Sequence, residues 1–84
     1  MEKFNDVCYT FYMKLTVIIE KDKDGYFAYC PELKGCMSQG DTCDEAMANI
    51  KEAIELYLET LSEKEKEELS KREIHTSTLE VQVA

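Results

Sequence analysis

The chain has little of what most catalytic sites require. Its 84 residues include one histidine, one proline, three glycines and no tryptophan. With so few glycines there is no glycine-rich loop to cradle a phosphate, and one histidine with few serines supplies little material for nucleophilic or acid–base catalysis. The sequence gives no positive indication of an enzyme, and we predict that the protein is not one.

Positive charge is also scarce, because 18 acids face 10 bases and the formal net charge is −8. Proteins that bind nucleic acid directly usually carry a basic surface, so we predict no direct nucleic-acid contact. No apolar run approaches the roughly 18 residues of a membrane span. The N-terminus also lacks the pattern of a signal peptide. We therefore expect a cytoplasmic protein without membrane contact, whose acidity serves solubility or a basic protein partner.

The four cysteines, Cys8, Cys30, Cys36 and Cys43, include no C-x2-C pair. Zinc sites usually contain at least one closely spaced ligand pair, so we predict no metal and no cofactor. Without a signal peptide the thiols are expected to be reduced. An enzyme or metal site built on Cys30, Cys36 and Cys43 is the weaker alternative. A reactive thiol at Cys43, near a helix start, is opposed by its acidic neighbours.

Three strand-like segments come first in the chain. In "MKLTVIIEKD", residues 13–22, apolar and polar positions alternate, which predicts a strand. "DKDG", residues 22–25, predicts a hairpin turn in which Gly25 takes a positive φ. "YFAYC" at 26–30 and "CMSQ" at 36–39 predict the second and third strands.

A calcium loop is the alternative for the Asp-x-Asp-Gly of this turn. In such a loop a bidentate glutamate follows the glycine by six residues. Counting from Gly25, that position falls on Pro31, and Glu32 comes one residue too late. We therefore interpret the segment as a turn. The neighbouring aromatic residues are expected in the core or an oligomer interface, because base-stacking surfaces come with basic residues.

A helix follows the strands. Thr42 and Glu45 form the T-x-x-E pattern of a capping box. Apolar residues then recur at helical spacing, at Ala46, Ile50, Ala53, Ile54, Tyr57, Leu58 and Leu61. The opposite helix face is acidic. The charged residues 62–73 predict a short solvated helix or linker. "STLEVQVA" at 77–84 alternates again and predicts a half-buried terminal strand.

These elements predict an α+β fold in which one antiparallel sheet carries one main helix packed on one face, in the order β-β-β-α-β. We expect residues 1–12 to form an N-terminal extension, either an extra strand or an arm, and residues 13–84 to form a single domain. An open sheet in so small a domain leaves an edge and apolar surface that need cover, so we also predict a homo-oligomer.

Residues 13–61 resemble the HicB-like antitoxin family. The resemblance rests on Asp-Gly-Tyr, Cys-Pro-Glu-Leu-x-Gly-Cys, the segment "SQGDT" and the Glu-Ala that opens the helix. We expect structural roles for the residues of these motifs. They are Asp24, Gly25, Tyr26, Cys30, Pro31, Gly35, Gly40, Asp41, Thr42, Glu45 and Ala46.

The resemblance implies a truncated ribonuclease-H-like fold and a protein that masks a small basic HicA-like mRNA-cleaving toxin. An orphan family member, oligomeric but without a cognate toxin, is the alternative. Many members carry a DNA-binding domain after this one, and its absence from the sequence predicts no autorepression. We expect the acidic hairpin turn and helix face to steer the toxin electrostatically. The predicted toxin-binding residues are Asp22, Asp24, Glu52, Glu55 and Glu59.

Overall fold

The computed structural model describes residues 13–84, so the predicted extension at residues 1–12 lies outside the described residues. Five elements follow one another along the chain. Strand β1 spans Ile18–Asp22, β2 spans Gly25–Tyr29 and β3 spans Met37–Gly40. Helix α1 spans Cys43–Glu59 and helix α2 spans Glu63–Ser70. The α+β class and the order β-β-β-α are confirmed.

The three strands form one antiparallel sheet in the order β1-β2-β3. Ile19 lies opposite Ala28, which is completely buried, so this row of side chains faces α1. Because successive side chains of a strand point to opposite faces, the next row lies on the far side of the sheet. That row contains Ile18, Tyr29 and Met37.

The apolar stripe of α1 packs on the sheet as its spacing predicts. Ala46 and Ile50 are completely buried and join Ala28 in the core. Ile54 and Leu58, one and two turns further on, are partly buried against the same cluster. The core is therefore thin, since it consists of one sheet face, one helix and the loop between β2 and β3.

The start of α1 confirms half of the predicted capping box. The Glu45 N–H donates to the Thr42 hydroxyl at 3.0 Å, which satisfies one of the free amides of the first turn. The Glu45 carboxylate, however, accepts from the Asp41 N–H and not from the N–H of Thr42. The charged segment after α1 does form a short helix, α2, and a complete capping box between Ser62 and Glu65 opens it.

The first strand is shorter than predicted. Leu15 and Val17 pack against the core as their alternation requires, but β1 begins only at Ile18. The register gives the reason, because Ile18 lies opposite Tyr29, the last residue of β2, and Pro31 beyond it has no N–H to extend the ladder. The Thr16 N–H donates instead to the carboxylate of Glu32. That amide is therefore bonded to a side chain and not to a neighbouring strand.

The prediction of a terminal strand at residues 77–84 is wrong for the structure described. Residues 72–84 form no helix or strand, and Leu79, Val81 and Val83 are 82%, 65% and 84% exposed. Alternation predicts which side chains would share a face, but a strand also needs a neighbouring backbone to pair with. Within residues 13–84 no strand lies beside this segment.

Candidate functional site

A cleft of about 440 Å³ lies where the β1–β2 turn meets the start of α1. We call it the acidic cleft because four of its lining residues are carboxylates. Its lining residues are Asp22, Asp24, Gly25, Tyr26, Phe27, Gln39, Gly40, Asp41 and Glu45. They come from three strands, one turn and a helix start, so only the folded chain assembles them.

The hairpin turn supplies one side of the acidic cleft. Asp22 and Gly25 are paired across β1 and β2, which leaves two residues for the turn. The Asp24 N–H donates to the Asp22 carboxylate at 2.8 Å, an interaction typical of aspartate in turns. Gly25 has φ +131°, which confirms the predicted positive φ. Few other residues adopt that backbone conformation.

The close approach of α1 to the sheet supplies the other side. A Cβ on Gly40 would lie 2.6 Å from the backbone nitrogen of Ala46, so only glycine lets the helix start sit this close to β3. This contact places Asp41 and Glu45 beside the hairpin turn. The "SQGDT" segment thus has a structural role here, since its glycine and threonine position and cap α1.

The acidic cleft combines negative charge with aromatic surface. Clustered charge of one sign raises the local concentration of an oppositely charged partner. The Nζ of Lys21 lies 5.7 Å from the centre of the Tyr26 ring, a cation–π contact within the chain that leaves the carboxylates as the groups for a partner. The arrangement therefore suits lysine or arginine side chains of a partner.

The predicted toxin-binding residues fall into two groups. Asp22 and Asp24 line the acidic cleft. Glu52, Glu55 and Glu59 lie exposed on α1, and at about 1.5 Å per residue Glu59 is roughly 21 Å along the helix from the cleft residue Glu45. The carboxylate of Glu55 also forms an exposed ion pair with Lys51, at 3.0 Å. The structure thus places only the first group in the acidic cleft.

The loop of the Cys-Pro-Glu-Leu-x-Gly-Cys motif is closed by its own backbone. The Cys30 N–H donates to the carbonyl of Cys36 at 3.1 Å, and the Leu33 N–H donates to the carbonyl of Cys30 at 3.1 Å. Gly35 has φ +80°, a left-handed conformation that favours glycine. Leu33 is 2% exposed and belongs to the core. The motif therefore builds a compact corner of the domain.

Glu32 is a buried charged residue that the sequence analysis does not single out. It is only 8% exposed, yet it is a carboxylate. Both of its oxygens lie 3.1 Å from the Thr16 N–H, and one accepts from the Thr16 hydroxyl at 3.0 Å. Arg72 Nη1 donates to the Glu32 carbonyl at 3.1 Å. Its position inside the Pro-Glu-Leu motif is the signal that could have found it.

Hydrogen bonds keep this buried carboxylate charged. Burial alone would raise the pKa of Glu32, but the bonds from its own backbone N–H, from Thr16 and from Cys30 together hold that pKa below its usual value. The Glu32 carboxylate thus ties the segment before β1 to the β2–β3 loop. We interpret it as a structural clamp, because its acceptor oxygens are already engaged inside the fold.

Two of the three cysteines within residues 13–84 are buried. Burial raises the pKa of the Cys30 thiol to about 11 and also raises that of Cys36. Both thiols are buried and free, whereas Cys43 is exposed and free. Among the described residues no group of three or more histidine, cysteine or acidic side chains could hold a metal ion. Cys8 lies outside the described residues.

Comparison with protein families gives a match over residues 15–82, to a model described as a HicB-like antitoxin of a bacterial toxin–antitoxin system. The match extends beyond α1 and α2 and includes most of the exposed terminal segment. No solved structure matches the chain significantly. No helix within residues 13–84 has the length and apolarity to cross a bilayer.

Individual relatives agree with the family match. A Helicobacter pylori protein is 50% identical over 72 residues, which are 86% of this chain and all of that protein. A Synechocystis protein is 66% identical over 47 residues, 55% of this chain and 60% of its own length. Both are named UPF0150 protein, which states no activity. A Haemophilus phage HP1 protein is 46% identical over 55 residues, 66% of this chain and 41% of that protein.

Proposed function

The chain belongs to the HicB-like antitoxin family, and from that premise we propose that it neutralises a small basic HicA-like ribonuclease toxin by binding and masking it. The role is one of binding, and no catalytic step is assigned to this chain. The observation that carries the proposal, beyond family membership, is the acidic cleft at the hairpin end of the sheet.

The chemistry of the acidic cleft favours a basic protein as its partner. The cleft is lined by four carboxylates together with Tyr26 and Phe27. Aromatic side chains are enriched among the residues that contribute most to protein–protein binding, and the carboxylates around them would pair with arginine or lysine. Lys21 lies near the Tyr26 ring and Lys23 lies in the turn between β1 and β2, so two lysines stand near four carboxylates.

The charge of the whole chain supports the same partner. With a formal net charge of −8, the protein would attract a basic toxin before contact. The exposed acids Glu52, Glu55 and Glu59 on α1 extend the negative surface away from the acidic cleft. Such steering acts mainly on the association rate and weakens as salt screens the charges, over a Debye length of about 8 Å at physiological ionic strength.

The proposal predicts that a small basic protein is encoded beside this gene, and co-expression with that protein tests it. The wild-type chain should form a stable complex and restore growth to cells that express that protein. Asp24→Lys combined with Asp41→Lys should weaken the complex about tenfold or more, measured by calorimetry or surface plasmon resonance. Asp22 stays unchanged because its carboxylate holds the turn.

A matched control reverses two exposed acids away from the acidic cleft, Glu67→Lys and Glu73→Lys. Because it changes the net charge equally, this variant should slow association slightly and leave the complex intact. Equal loss in both variants would show that the cleft is not the contact. If the neighbouring protein neither binds the wild-type chain nor inhibits growth, the orphan interpretation replaces the antitoxin one.

A further inference from the structure

We propose that the far face of the sheet, the face turned away from α1, extends the contact surface of the basic partner beyond the acidic cleft. Side chains that alternate onto this face define it, and they are Ile18, Glu20, Asp22, Phe27, Tyr29, Met37 and Gln39. The far face would receive a segment of the partner in which apolar side chains lie next to lysine or arginine. This contact rests on the proposed function, because it involves the same partner.

One end of the far face is an apolar row that crosses all three strands. Ile18 lies opposite Tyr29, and Tyr29 lies opposite Met37. Met37 is 53% exposed, and the other two side chains are half-buried, so no element within residues 13–84 covers this row. Methionine and aromatic side chains are enriched at protein–protein interfaces, and the flexible thioether of methionine adapts to the shape of a partner.

The next row joins this apolar surface to negative charge. Phe27 lies between Glu20 on β1 and Gln39 on β3. Phe27 is 37% exposed, and the centre of its ring lies 6.4 Å from that of Tyr29, so the two rings form one aromatic surface. The carboxylate of Glu20 is exposed at the edge of that surface.

The far face and the acidic cleft are continuous. Phe27 and Gln39 belong to the far face and also line the cleft. Along the face the rows change from apolar through mixed to acidic, and Asp22 ends the series beside the hairpin turn. None of the far-face residues is basic, since Lys21 alternates onto the helix side and lies near the Tyr26 ring.

This charge favours a basic protein over a second copy of the chain. Like charges brought together across an interface are costly, and a second copy would carry the same formal net charge of −8. A basic partner would instead place lysine or arginine at Glu20 and Asp22 while its apolar side chains cover the row that contains Met37.

The size of the acidic cleft also calls for neighbouring surface. Nine residues line the cleft, whereas stable protein–protein interfaces use roughly 20–30 residues on each side. Such interfaces combine an apolar core with a polar rim. The far face supplies the apolar part, and the carboxylates of the cleft supply the rim.

Methionine oxidation tests the contact in the wild-type chain. Met37 and Met47 are similarly exposed, at 53% and 45%, and Met47 lies on α1, so it is an internal control. Hydrogen peroxide transfers one oxygen atom to the thioether sulfur, which forms a sulfoxide and releases water. On binding of the small basic protein that the proposed function predicts beside this gene, oxidation of Met37 should slow about tenfold or more, and that of Met47 less than about twofold. Tandem mass spectrometry measures both.

Two matched substitutions measure the contribution of the far face to affinity. Met37→Gln and Met47→Gln each replace a thioether by an amide of similar length and leave the net charge unchanged, so electrostatic steering stays the same. Met37→Gln should raise the Kd of the complex about fivefold or more, and Met47→Gln less than about twofold, measured by calorimetry. Because both side chains are exposed, both variants should keep the urea midpoint of the wild type.

The outcomes distinguish the far-face contact from the proposed function. If the basic protein does not bind the wild-type chain, both are wrong. If it binds but leaves the oxidation of Met37 unchanged, only the far-face contact is wrong. Wild-type affinity of Met37→Gln would overturn that contact in the same way. Protection of Met37 in the free chain that disappears on dilution would mean that a second copy covers this face, and would also overturn it.

Discussion

Replacement of Glu32 by glutamine is the most direct test of the buried clamp. Glutamine keeps the shape of the side chain but offers one acceptor oxygen in place of two. In the wild type both oxygens accept from the Thr16 N–H and one accepts from the Thr16 hydroxyl. The substitution therefore removes the charge and replaces one acceptor oxygen by an amide NH2 group. That group is a donor, and it would face the Thr16 N–H, which is also a donor.

The expected cost follows from these contacts. Hydrogen bonds to charged groups contribute about 1.5–3 kcal/mol each to stability, and an unmet buried donor costs about 1–3 kcal/mol. Since glutamine retains one acceptor, we expect Glu32→Gln to lower the free energy of unfolding by about 2 kcal/mol at pH 7. Glu32→Ala removes every acceptor and should cost about 4 kcal/mol. For a small domain of roughly 5–15 kcal/mol either loss is substantial.

The pH dependence of stability distinguishes the contribution of the Glu32 charge from that of its side-chain packing. The hydrogen bonds hold the pKa of Glu32 in the folded chain below its usual value, which is about 4.3 in an unfolded chain. A carboxyl group with a depressed folded pKa stabilises the fold above the unfolded pKa, and this contribution is lost as the pH falls through the folded pKa. Glutamine does not titrate, so the difference between wild type and Glu32→Gln should shrink below about pH 4.

Urea unfolding followed by circular dichroism at pH 7 and at pH 3 measures both effects. Glu67→Gln is the control, because Glu67 is exposed on α2 and its substitution should change stability by less than about 0.5 kcal/mol. Equal urea midpoints for wild type and Glu32→Gln at pH 7 would refute the clamp. A difference that persists unchanged at pH 3 would show that shape, and not charge, is responsible.

Two further predictions concern packing and thiol chemistry. Gly40→Ala should lower the free energy of unfolding by about 1–3 kcal/mol, because its Cβ would lie 2.6 Å from the Ala46 nitrogen. The melting temperature measures this loss, and an unchanged value would mean that α1 does not pack closely on β3. In a Cys8→Ser background at pH 8, a thiol reagent should label Cys43 at once and reach Cys30 only on unfolding, because burial raises the Cys30 pKa to about 11. Equally fast labelling of the two thiols would contradict the buried position of Cys30.

Much of the fold follows from local pattern. The stripe that contains Ala46 and Ile50 predicts both the helix and its buried face, because helical period and burial coincide there. Gly25 has the positive φ that its turn predicts. The family motifs, quoted from the sequence alone, agree with a family match over residues 15–82. These features depend on neighbours a few residues apart.

The candidate site was predictable only in part. The charge of Asp22 and Asp24 and their place in a turn predict an exposed acidic surface, and both residues line the acidic cleft. Glu45 is predicted as part of the capping box and Asp41 only as a structural residue of the motif, and nothing in their spacing shows that α1 approaches the hairpin. That approach depends on the missing side chain of Gly40, which acts through contact with a distant backbone. Whether these residues contact a toxin remains a prediction.

The sequence by itself determined the order of the first three strands and the main helix, which face of that helix is apolar, and that the chain is acidic. Only the tertiary structure decided that Glu32 is buried, because its partner Thr16 lies 16 residues earlier and no local period joins them. It also decided that the alternating segment around Val81 forms no strand within residues 13–84. Side-chain alternation is local, whereas a strand exists only where another backbone supplies hydrogen bonds. Whether such a backbone lies alongside depends on segments distant in the sequence, and no single stretch of sequence shows it.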